Sequence, residues 1–213
     1  MLGNGANHAN SIRITAGAGG FSGGLGGFTA DIGPIDLTTL GPVSIAGQLY
    51  ATDGDISVTS CDAGVALPGG AAEIRAHAGV VSLTGTKISA EGDLKVRGSA
   101  GVNVTWAPGQ IVGDVSATGA LLVQAFGGGV TITNQNNGRS LNLTGDASAA
   151  IEAATGVAMD TYVGLGSANG PLHITAFGGD VATHVVASSG TDTVTAGSFG
   201  GRSRQSIFMR RST

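Results

Sequence analysis

Short triplets with apolar ends and a mostly polar centre recur along the chain. Ile12-Arg13-Ile14, Ile35-Asp36-Leu37, Val43-Ser44-Ile45 and Ile56-Ser57-Val58 open the series. Ile74-Arg75-Ala76, Val81-Ser82-Leu83, Leu94-Lys95-Val96 and Val102-Asn103-Val104 continue it, followed by Val115-Ser116-Ala117, Val130-Thr131-Ile132, Leu141-Asn142-Leu143 and Leu172-His173-Ile174. Alternation with a period of two predicts half-buried strands, one face inward and one in water. Helical spacing at i, i+3, i+4 is not sustained; the best helical stretch, Ala147 to Ala154, is short and runs into Gly156. The pattern therefore predicts an all-β chain.

The strand starts are themselves periodic. Ile35, Val43 and Ile56 lie 8 and then 13 residues apart, and Val81, Leu94, Val102 and Val115 lie 13, 8 and 13 apart. Neighbouring steps sum to 21 residues, from Ile35 to Ile56, Val81 to Val102 and Leu94 to Val115. A fixed period near 20 is the mark of a stacked repeat. The expected architecture is a parallel β-solenoid (β-helix) of about 21 residues per coil with at least two strand faces. At ~4.8 Å per coil, about ten coils make a rod of about 48 Å.

Composition supports a coiled stack. Glycine numbers 39 of 213 residues, against an average of about 7%. Collagen's strict third-position glycine is absent, and only 5 prolines and 11% charge accompany plentiful Val and Ile, unlike a disordered chain. Many glycines with many short strands mean many turns. Aromatic residues are 4%, so the core must be built from Val, Ile, Leu and Ala, which stack on themselves coil over coil more easily than rings. A β-sandwich or barrel is the competing reading. An immunoglobulin-like sandwich, however, buries a Trp, and the lone Trp106 precedes Ala107-Pro108-Gly109 at a strand end.

A further phrase recurs: Gly-Asp leading into a strand, at Gly54-Asp55-Ile56-Ser57-Val58, Gly92-Asp93-Leu94-Lys95-Val96, Gly113-Asp114-Val115-Ser116-Ala117 and Gly179-Asp180-Val181. With Ile88-Ser89-Ala90-Glu91-Gly92-Asp93-Leu94 it resembles the repeats of filamentous-haemagglutinin-type bacterial adhesins over roughly residues 35–145. Such adhesin shafts are right-handed parallel β-helices of about this coil length. The resemblance implies a structural role at a cell surface.

Catalytic and cofactor chemistry finds little support. The net charge of −4 gives no reason to expect nucleic acid as a partner. Asp53 and Asp55, flanking Gly54, are the nearest approach to a carboxylate pair, but Asp at a strand entry commonly caps a turn. The calcium-roll nonapeptide is not matched, since Gly23-Gly24-Leu25-Gly26-Gly27-Phe28 lacks its aspartate. His8, His77, His173 and His184 have no metal-ligand spacing. No phosphate loop or nucleophile elbow occurs. The single cysteine, Cys61, permits no intrachain disulfide and is read as a small apolar side chain. The chain is expected to be no enzyme and to hold no cofactor or metal. An ice-binding face would need regular Thr-x-Thr, which occurs only singly, as at Thr131-Ile132-Thr133 and Thr193-Val194-Thr195.

Two end regions depart from the repeat. Residues 17–28 are glycine-rich and irregular, read as a linker, a packed turn or part of a first coil. The last twelve positions carry Arg202, Arg204, Arg210 and Arg211 around Ile207-Phe208-Met209. Residues 1–201 are thus expected to form one solenoid domain and 202–213 a basic tail. Met1-Leu2-Gly3-Asn4-Gly5 shows no secretory signal, and no run approaches the ~18 apolar residues of a membrane span. No capping helix is evident at either end, so the first functional expectation is head-to-tail self-association. Arg202, Arg204, Ile207, Phe208, Arg210 and Arg211 are the docking candidates, in an extracellular fibre, sheath or adhesin shaft. The alternative is a β-helix that binds or acts on surface carbohydrate. A phage fibre segment is a third reading.

Overall fold

The computed structural model describes residues 7–196, apart from 24–25, 61–63, 86, 107–113, 136–140, 161–162, 184 and 189–191. The described residues contain twenty-five strands and no helix. The strands form three parallel sheets, one of nine strands and two of eight, and each strand pairs with those three places before and after it in the chain. This is a three-faced β-solenoid. One turn runs Ala71–Ala76 in the first sheet, Val80–Gly85 in the second and Ile88–Ala90 in the third; Asp93–Gly98, Gly101–Trp106 and Val115–Ala117 stack directly on it. No helix among the described residues is long and apolar enough to cross a membrane.

Every triplet of the sequence pattern lies in a strand, with its ends inward and its centre outward. Inward residues stand in columns of like kind. In the second sheet Ile35, Ile56, Val81, Val102, Val130, Val157 and Val181 are in register, all buried. In the first sheet Phe28, Leu49, Ile74, Val96, Val123, Ile151 and Ile174 form another such column. Next to it, at the corner, Ala30, Ala51, Ala76, Gly98, Ala125, Ala153 and Ala176 align. Two sheet walls converge there and only small side chains fit between them. The core is one continuous aliphatic cluster from Phe28 to Val181.

The coil is longer and less regular than the 21-residue spacing suggests. Eight rises separate Asn7 from Val194 within one column of the first sheet, about 23 residues per turn, and seven separate the ends of each of the other two sheets. The described residues thus make seven to eight turns, against about ten expected over the whole chain. At ~4.8 Å per rise the described rod is about 34–38 Å long. The extra residues enter mainly where the second sheet passes to the third. Gly85 and Ile88 are nearly adjacent, whereas Trp106 is followed only at Val115, and Asn134 only at Leu141, by third-sheet strands. A corner can lengthen without disturbing the register of the faces.

Two expectations resolve locally. The stretch with helical character, Ala147 to Ala154, contains the strand Ser148–Ala153, with Ala149, Ile151 and Ala153 inward. Within residues 17–28, Phe21–Gly23 is a strand that pairs with Val43–Ile45, and Phe28 begins another. The Phe21 and Phe28 rings meet at 5.9 Å, tilted by 43°. This glycine-rich segment is part of the first coils.

Candidate functional site

The Gly-Asp phrase is a staple between coils. Asp55 Oδ1 accepts the Val80 N–H at 2.8 Å, Asp93 Oδ1 the Ala120 N–H at 2.9 Å, and Asp114 Oδ1 the Asn142 N–H at 2.9 Å. The acceptor and donor lie 25 to 28 residues apart, so these aspartates bond the next coil, not their own turn. Parallel stacking sets that amide one rise above each carboxylate. In two of the three, the glycine just before the amide makes room: a Cβ on Gly119 would sit 2.3 Å from Asp93 Oδ1, and one on Gly79 2.5 Å from Asp55 Oδ1. Each of these three carboxylates is engaged with backbone of the coil that follows its own. Among the described residues no group of three or more His, Cys, Asp or Glu could hold a metal ion.

The histidines are dispersed. His8 lies 3.5 Å from Asp31 at an exposed position, and His77 and His173 are exposed on separate coils. His184, Cys61 and the whole docking candidate set, Arg202, Arg204, Ile207, Phe208, Arg210 and Arg211, lie outside the described residues.

Stacking creates outward columns that spacing along the chain conceals. On the second sheet six threonines align, Thr15, Thr38, Thr59, Thr84, Thr105 and Thr133. They come from different coils, 21 to 28 residues apart, so a search for Thr-x-Thr does not find them. The adjacent column is mixed: Arg13, Asp36, Ser57, Ser82, Asn103 and Thr131, with Arg13 and Asp36 paired at 3.2 Å. Charges and an amide interrupt the hydroxyl lattice that an ice-binding face would need.

The first sheet carries the long polar side chains. Tyr50, Arg75, Arg97, Gln124 and Glu152 form one outward column. Arg97 reaches Glu73 at 3.2 Å, Gln124 Nε2 donates to Glu152 Oε2 at 2.6 Å, and the Arg75 guanidinium lies 5.8 Å from the centre of the Tyr50 ring. Beside this column a groove of about 180 Å³ is lined by Arg75, Ala76, His77, Ser99 and Phe126.

The ends of the stack are the third feature. Asn7–Ala9, Ile12–Ala16 and Phe21–Gly23 close one end of the described rod, and Val181–Ala182, Val185–Ser188 and Asp192–Ala196 the other. Among the described residues each of these strands has one paired edge and one open edge. Ile12 and Ile14 share columns with Ile35 and Leu37, yet they are half-buried where Ile35 and Leu37 are wholly buried. Compared with protein-family models, with curated proteins and with solved structures, the chain gives no match in any of the three.

Proposed function

We propose that the chain is a structural, self-assembling β-solenoid that extends end to end, as a subunit of an extracellular fibre, sheath or adhesin shaft. The observation that carries this reading is the half-burial of Ile12 and Ile14 in the first described coil. These side chains continue the core columns, and among the described residues no coil lies beneath them. Phe21 is in the same condition, partly buried above the open edge and in register with Val43. A second molecule's last coil, docked there in register, would cover all three.

The backbone argues the same way. An open parallel edge is a template for another strand, and the end strands Asn7–Ala9, Ile12–Ala16 and Phe21–Gly23 present three at once. At about 0.5–1.5 kcal/mol net per hydrogen bond, a ladder over these strands is of the same order as the roughly 4–15 kcal/mol that association costs. Burial of Ile12, Ile14 and Phe21 then tips the balance toward assembly. The contact joins unlike surfaces and does not close on itself, so it propagates. The basic tail, with Arg202, Arg204, Arg210 and Arg211 around Ile207 and Phe208, would clasp the more acidic body of the neighbour.

Sedimentation velocity over a concentration series tests this. The intact chain is expected to form large, concentration-dependent assemblies. Ile14→Lys, which places a charge on the open end while its stem follows the column, should remain monomeric with an unchanged circular dichroism spectrum. Removing residues 202–213 should weaken assembly. If the intact chain stays monomeric at every concentration, the proposal is wrong; if the shortened chain assembles as before, the tail has no part in it.

A further inference from the structure

We infer that the edge between the first and second sheets carries a binding site for an acidic saccharide, with Arg75 receiving a carboxylate and Phe126 an apolar sugar face. The residue that follows each first-sheet strand stands at this edge, one per coil. His77, Ser99, Phe126, Ala154 and Phe177 are held there by backbone bonds of 2.8–3.1 Å from their N–H groups to the coil before. The column therefore climbs one rise at a time, and Phe126 and Phe177 lie two rises, about 9.6 Å, apart.

Four observations converge on this edge. Phe126 is 51% and Phe177 66% exposed, in a chain with few aromatic residues and an otherwise aliphatic core. Arg75 is half-buried and forms no ion pair among the described residues, whereas Arg13 and Arg97 are each matched with a carboxylate. On the next coil Lys95 and Arg97 add two cations beside it, Arg97 paired with Glu73, while Asp53 and Asp55 stand in the turn of the coil before. The groove of about 180 Å³ brings Arg75, His77, Ser99 and Phe126 around one space.

Those groups define the ligand. A guanidinium with its fork free takes a carboxylate in a two-point, charge-assisted contact. The Arg75 guanidinium lies over the Tyr50 ring, 5.8 Å from its centre, a cation–π contact that restricts its motion. An exposed ring beside it calls for a ligand with an apolar face, which inorganic anions lack and a pyranose has. Ser99 and His77 add hydroxyl and imidazole partners for sugar hydroxyls. The groove is smaller than the roughly 300–1,000 Å³ of sites that enclose drug-sized molecules; it suits one sugar unit of a longer chain running along the rod. Such a chain would set a second unit over Phe177. The other groove, of about 270 Å³ around Ser11, Ile12, Arg13, Pro34 and Asp36, has its arginine already matched by Asp36 and no ring. The edge runs along the side of the rod, so it stays open whether or not the ends assemble.

Isothermal titration of the full chain with a galacturonic acid tetramer tests the inference, with cellotetraose, acetate and inorganic phosphate as comparison probes. The acidic tetramer should bind at least tenfold more tightly than each of these, and more weakly as salt is raised. Arg75→Gln should lower its affinity at least tenfold and Phe126→Leu, which keeps apolar bulk but removes the ring, at least fivefold. Arg13→Gln, on another face, should leave it unchanged, and circular dichroism should show all three variants folded. No binding of the tetramer by the intact chain, or equal binding by Arg75→Gln, would overturn the site. Acetate or phosphate binding as tightly as the tetramer would overturn the saccharide assignment.

Discussion

Val104 and Thr105 are neighbours in the chain and occupy opposite sides of the same sheet. Val104 is buried in a column with Leu83 and Ile132, and Thr105 faces outward between Thr84 and Thr133. Val104→Asp places an unpaired charge among aliphatic neighbours and should destabilise by more than about 4 kcal/mol. Thr105→Asp leaves its charge in water and should change stability by less than about 1 kcal/mol. Urea denaturation of the two variants measures the contrast. The staples make a finer claim. Gly119 sits where any Cβ would meet Asp93 Oδ1 at 2.3 Å and Gly92 backbone at 2.8 Å, so Gly119→Ala should cost about 1–3 kcal/mol. Gly101→Ala, whose Cβ would meet one carbonyl oxygen at 3.3 Å, should cost less in the same experiment. Gly92, with φ of +103° and its would-be Cβ 1.8 Å from the Gly70 carbonyl oxygen, admits no other residue without backbone movement.

At the scale of the strand, alternation was readable wherever Val, Ile or Leu marked both inward positions. It faded where alanine and glycine took them. Ser148–Ala153 reads Ser-Ala-Ala-Ile-Glu-Ala, a good helical composition, yet its inward residues stack on Leu121, Val123 and Ala125 of the coil before. Tertiary register overrides local preference there. The third face was hard to see because most of its strands in the first half are three residues long, Val43–Ile45, Val65–Leu67, Ile88–Ala90 and Val115–Ala117, too short to establish a period. Corner insertions then blurred the spacing after Val104. The candidate saccharide site was invisible for the same reason: Tyr50, Arg75, His77, Ser99 and Phe126 are scattered through the sequence and meet only once the register is known. Pairing on both edges predicts slow hydrogen exchange in the central strands, Val80–Gly85 and Gly101–Trp106, and faster exchange in Ile12–Ala16. Assembly should slow Ile12–Ala16 selectively; uniform rates along the rod would contradict the one-sided exposure of that strand.

The molecule as a whole is a short rod whose sides and ends differ in kind. The outer faces of the first and second sheets show polar columns, broken at the edge between them by exposed Phe126 and Phe177, while one end of the described rod shows core residues half covered. Lateral contacts through the flat outer faces would bury the Thr column of the second sheet or the charged columns of the first, which are already solvated. End contacts, as proposed, would continue the described core columns. Within the described rod every coil presents three parallel strands to the next, and the proposed end contact would repeat that register between molecules. Negative-stain electron microscopy of the purified chain tests this most directly. The account predicts unbranched filaments of single-rod width, longer than the described rod's approximately 34–38 Å at ~4.8 Å per rise, that disappear in Ile14→Lys. Isolated short rods at high concentration, or filaments that persist in Ile14→Lys, would contradict it.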